Sequence, residues 1–130
     1  MPGPSYIADP SYSASGAITR FKAVKLSDVD TVTAISLSGV AADGVAQMAS
    51  TAAEATAGKV IPVRHYGVTR MIAGDVINLR APVQVDATGR AIPLAATTAK
   101  QEQIGIALKA AAAANDVIYV LLTTGVQRDT

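Results

Sequence analysis

Apolar and polar positions along the chain alternate over short runs rather than recurring at helical spacing. The segments "AITRFKAVKL", "TVTAISL", "KVIPVRHYGVTRMI", "DVINLRAPVQVD" and "AIPLA" read as strands, and turn residues separate them roughly every ten positions, the spacing of a sandwich or small barrel. "VQVDATGRAIPL" is the clearest hairpin, with Asp86 and Gly89 bracketing a short loop. Pro62 and Pro82 lack the N–H that a central strand needs, which places their strands at edges or bulges.

One stretch is ambiguous. In "IGIALKAAAAANDVIYVLL" the alanines Ala110 to Ala114 favour helix, and a helix starting near Lys100 could run through them. The flanks oppose this. Ile104, Ile106 and Leu108 alternate with Gly105, Ala107 and Lys109, and Val117-Ile118-Tyr119-Val120 is β-branched and aromatic after an Asn115-Asp116 turn. The reading is therefore strand, alanine-rich connection, strand.

An internal repeat supports it. "GAITRFKAV" at Gly16 returns as "GVTRMIAGDV" at Gly67, "DGVAQ" at Asp43 as "IGIALK" at Ile104, and "GKVIPVRHYG" as "NDVIYVLLTTG". The three blocks keep their order, so residues 16–66 and 67–125 read as two copies of one β unit with Gly16 and Gly67 at equivalent turns. "AQMASTAAEATAGK" and "ALKAAAAANDV" then become equivalent connections, with a turn or two of helix allowed between Ala46 and Ala57. Residues 16–130 form a single β domain on this reading. Residues 1–15, with Pro2, Pro4 and Pro10 and the spaced apolar positions Tyr6, Ile7 and Tyr12, read as an extended arm that becomes ordered on a partner surface.

Composition removes several function classes. The chain of 130 residues has no cysteine, hence no disulfide framework and no thiolate metal site. Eleven basic and ten acidic side chains nearly cancel and are scattered, which leaves no footprint for nucleic acid or anionic lipid. No apolar run approaches membrane-spanning length, and the N-terminus lacks the basic-then-apolar pattern of a signal peptide. With no Trp and one Phe, the core is built from small side chains, and association is a natural source of further burial.

Catalytic chemistry is not visible. His65 is the single histidine, and Glu54 and Glu102 are the only glutamates, neither with a second carboxylate at a useful spacing. Asp28 and Asp30 in "SDVDT" read as a solvated turn rather than a cation loop, and the glycines of "GRAIPL" and "GVAADG" lack the lysine or spacing of a phosphate loop. The expectation is a non-enzyme with no cofactor, no metal and no small-molecule substrate.

The order "GAITRFKAV", "GVAQ", "AGKVIPVRHYGVTRMIAGDVI", "VDATGRAI", "IGIALKAAAAANDVIYVLL", with the Gly89-Arg90 turn before the last pair of strands, resembles the capsid decoration, or cement, proteins of tailed bacteriophages over residues 16–123. That resemblance implies an all-β fold, a small barrel or sandwich of short strands (β-tulip-like), often a homotrimer. It implies a structural protein of the virion, made in the host cytoplasm and placed on the outer capsid surface, where it bridges major capsid subunits. Tyr6, Ile7 and Tyr12 are the expected capsid-binding positions of the arm. The competing readings are a phage tail or spike accessory domain, or another surface-binding β module, and an enzyme or ligand carrier with an unadvertised pocket.

Overall fold

The computed structural model describes residues 9–95 and 101–128. Its strands divide at Gly67 into two groups. The first holds β1 (Ser11–Ala14), β2 (Ala23–Asp28), β3 (Thr31–Ala34), β4 (Gly44–Ala46), the helix α1 (Ala52–Thr56) and β5 (Val60–Arg64). The second holds β6 (Gly67–Ile72), β7 (Pro82–Val85), β8 (Ala91–Pro93), β9 (Gln101–Ala107) and β10 (Val117–Arg128). The fold is all-β, as the alternation predicts.

The first group closes into a barrel in which β1 lies antiparallel to β5 and parallel to β3. Read from β1 round the barrel, its order is β1-β5-β4-β2-β3; the second sheet runs β6-β10-β9-β7-β8. The two orders are the same, and so is the register. Tyr12 opposite Ile61 recurs as Met71 opposite Ile118, Val24 opposite Gly44 as Val83 opposite Gly105, and Ala46 opposite Val63 as Ala107 opposite Val120. The parallel pair Ala14–Val32 has its counterpart in one parallel bridge, Ala73–Ala91, and the bridge Ile18–Ser50 in Ile77–Ala111. The molecule is one five-stranded unit used twice.

This register corrects the repeat alignment at its first block. Thr69-Arg70-Met71 lies on β6, whereas Thr19-Arg20-Phe21 belongs to the turn before β2, so Gly16 and Gly67 are not equivalent. The counterpart of Met71 is Tyr12. A shared "TR" misaligned the block because strand residues outside the glycines are free to differ between copies.

The same register moves the boundary of the arm. Ser11–Ala14, placed in the arm by its neighbouring prolines, pairs on both sides, with β3 and β5, and closes the first barrel. Nor is β5 an edge strand despite Pro62. Its carbonyl accepts the Gln47 N–H at 2.9 Å, but the N–H that proline lacks falls beside residues where β4 has already ended. Pro82 opens β7, where no preceding ladder bond is lost.

Strand alternation builds two cores. Val24 and Ala46 point into the first barrel with Val32, Ile61 and Val63, while their neighbours Ala23 and Val45 point outward into a larger core shared with Met71, Ile77, Ile104 and Ile118 of the second unit. Each such large aliphatic contributes about 1.5–3 kcal/mol when fully buried. The units are therefore joined through apolar packing. Backbone bonds add to it: Ala23 N–H donates to Gly89 at 2.8 Å, Ile72 N–H to Phe21 at 3.0 Å and Gly39 N–H to Val85 at 2.9 Å.

Candidate docking face

The outer face of the second unit is apolar across four strands. Pro82 on β7 lies opposite Ile106 on β9, Ile106 opposite Leu121 on β10, and Leu121 opposite Val68 on β6. The next row places Tyr119 opposite Arg70, and the Leu108 N–H donates to the Tyr119 carbonyl at 2.7 Å. Val68, Leu108, Val117 and Tyr119 are each more than two-fifths exposed, too much aligned apolar surface to be scattered residues of an ordinary exterior. In the first unit the corresponding row reads Ala23, Val45, Arg64, Asp9. There Ala23 and Val45 are covered by the second unit and the two charges pair with each other.

Beside this face, at the seam between the units, runs an open groove of about 270 Å³ lined by Arg20, Phe21, Arg64, Val68, Arg70 and Tyr119 among others. Its cations differ in state. Arg64 donates from Nε and Nη2 to the two Asp9 oxygens at 3.0 and 2.9 Å and from Nη1 to the Val68 carbonyl at 2.9 Å, and the Asp9 carboxylate raises its already high pKa. Arg20 stacks over the Phe21 ring, 4.4 Å to the centroid, and donates to the Gln47 carbonyl at 3.0 Å. Lys109 sits 5.8 Å from the Tyr119 ring centre. Among the described residues, Arg20, Arg70 and Lys109 have no carboxylate partner. The surface can thus take an apolar partner that carries negative charge.

The positions singled out in the sequence are distributed differently. Tyr6 and Ile7 lie outside the described residues. Tyr12 is half-buried on β1 against the first barrel's core, and its hydroxyl donates to His65 Nε2 at 2.8 Å. The opposite ring nitrogen faces the Asp43 carbonyl at 2.5 Å; since a carbonyl only accepts, Nδ1 carries the proton and Nε2 is free to accept. Tyr12 and His65 therefore tie β1 to the start of β4, which holds the Tyr12 hydroxyl inside the molecule while part of its ring stays at the surface. The docking face escaped sequence reading because Val68, Tyr119 and Leu121 look like ordinary strand residues until pairing shows which side is uncovered.

The chain matches the phage cement protein family over residues 8–122. It belongs to that family. Membership makes it a structural protein associated with a phage capsid. Among solved structures, the fold is similar to the head fiber gp8.5 N base in bacteriophage phi29, with a TM-score of 0.66 and 15% identity, covering 88% of this chain and 92% of that one. No curated protein matches the chain. Groups of His, Cys, Asp or Glu able to hold a metal ion are absent among the described residues of this cement protein.

Proposed function

We propose that the protein binds the outer surface of a mature capsid and stabilises it by bridging neighbouring major capsid subunits, working as a homotrimer. The observation that carries the capsid reading is the cement-family match over residues 8–122; the apolar face on β6, β9 and β10, with its rim of Arg20, Arg70 and Lys109, supports the assembly. Family membership supports the capsid as the partner, and the low share of large side chains in the core supports assembly. A ligand that binds only the expanded lattice stabilises it by RT ln(1 + [L]/Kd), about 4 kcal/mol per site at a thousandfold excess over Kd. Summed over many sites, this opposes the pressure of a packaged genome.

Tyr6 and Ile7 belong to the same proposal as apolar contacts of the N-terminal segment with the capsid. Binding is measured by co-sedimentation with expanded particles, with unexpanded particles and with isolated tails, together with the heat resistance of the particles. Selective binding to expanded particles and a raised disruption temperature are expected. Equal binding to unexpanded particles, or binding to tails alone, overturns the reading.

A further inference from the structure

The hairpin joining β2 to β3 ends in Asp28-Val29-Asp30, and Val29 is 86% exposed. Its counterpart in the second unit, the hairpin joining β7 to β8, is docked: the Gly89 carbonyl accepts the Ala23 N–H at 2.8 Å, and Gly89 is buried. One hairpin tip of the repeat therefore serves as a packing element while the other stands free. The free tip carries an aliphatic side chain between two carboxylates. Asp28 accepts from the Val29 N–H at 2.7 Å and Asp30 from the Thr31 hydroxyl at 3.1 Å, and neither has a cationic partner among the described residues.

We propose that this tip docks on a second copy of the chain, in the seam groove and on the adjoining face, with Val29 against Val68, Tyr119 and Leu121 and the two carboxylates toward Arg20, Arg70 and Lys109. Charge complementarity selects the partner: among the described residues, Arg20 and Arg70 of the groove and Lys109 of the adjoining face have no carboxylate partner, and the tip's two carboxylates have no cation. The contact is between copies. Strand β2 leaves the seam at Ala23 and reaches the tip at Asp28, roughly 17 Å further along at strand rise, so a chain carries its own tip away from its own groove. Tip and groove are different surfaces, which makes the contact heterologous, the kind that closes into a ring when the rotation permits. This rests on the homotrimer reading and names the surfaces that would form it.

The test is charge reversal in the full chain, read by sedimentation velocity without capsids and, separately, by co-sedimentation with expanded particles. Asp28→Lys with Asp30→Lys, and Arg70→Glu with Lys109→Glu, should each weaken self-association at least tenfold, and all four together should restore it. All four side chains are exposed, and thermal unfolding of each variant checks that the fold is kept. Val29→Ser should weaken association without altering charge. Unchanged association in the single-sided variants, or no restoration in the combined one, overturns the proposal. A monomeric wild-type chain that still binds particles overturns it while leaving the capsid reading intact. Loss of particle binding with self-association unchanged in Arg70→Glu/Lys109→Glu also overturns it and gives the face to a capsid subunit.

Discussion

Gly44 and Gly105 occupy the same position in the two units, and the reason is space. A Cβ on Gly44 would stand 2.6 Å from Val63 Cγ1 and 2.7 Å from the Arg64 carbonyl, and one on Gly105 would fall onto the Leu121 carbonyl. The closing strand, β5 or β10, crosses there with no room for a methyl group. Gly44→Ala and Gly105→Ala should each destabilise by about 1–3 kcal/mol, measured as a lower thermal unfolding midpoint. The two glycines were legible in the sequence as the anchor of a repeated block. That they mark strand crossings was not, because the clash involves residues far along the chain. Asp86 sits at the turn between β7 and β8 with its carboxylate held by Thr88 and Arg90. Burial pushes its carboxyl up, but the Arg90 and Thr88 N–H groups, the Thr88 hydroxyl and the Arg90 guanidinium outweigh this and hold it below the ordinary aspartate value. A pKa depressed on folding contributes stability that is present above the unfolded value and lost as pH falls through the folded one. Asp86→Asn should cost about 1–3 kcal/mol near neutrality through lost hydrogen bonds. The gap to wild type should narrow in acid below the usual carboxylate range, as unfolding curves across pH would show.

Five consecutive alanines form no helix here, while Ala52–Thr56 does. Helix α1 carries a capping box, Thr51 Oγ1 accepting the Glu54 N–H at 3.1 Å and Glu54 Oε1 accepting the Thr51 N–H at 2.9 Å. In the second unit the equivalent connection is shorter, Ala111 is pinned by its bridge to Ile77, and the Asp116 carboxylate accepts from Ala112 and Ala113 while Asn115 turns at φ +73. Propensity without a cap or room for a second turn does not nucleate a helix. Thr51→Ala should melt α1, visible in backbone chemical shifts, at a cost of about 1 kcal/mol. The strand–connection–strand order of both copies was legible from flanking alternation. Strand β1 was not, since four residues among prolines and serines carry no periodic signal and are fixed by pairing at long range. The consequence is a sharp difference between two truncations. Removing residues 1–8 leaves every described strand pairing in place and should leave the unfolding midpoint unchanged, while weakening capsid binding tenfold or more, about 1.4 kcal/mol. Removing residues 1–15 strips a strand from between β3 and β5, opens the barrel and should abolish cooperative unfolding.

On the scale of the whole molecule, the shared core makes the two units one cooperative body. Ala23, Ile35, Ala42 and Val45 of the first unit are buried with Met71, Val85 and Ile118 of the second, so calorimetry should show a single transition, and residues 9–66 alone should not fold cooperatively. The fold class and the doubled architecture could be read from alternation and from glycine and alanine spacing. The docking face could not, because exposure depends on which side of a sheet the rest of the chain covers. Where the first unit offers the Ala23 N–H to a hairpin tip, the second has Pro82, which has none to offer. A tandem unit that could accept another like itself at that position would propagate, and the product would be an open rod of unlimited length. Pro82 withholds the hydrogen bond that such growth would repeat, so a further unit would have to dock at this position without it.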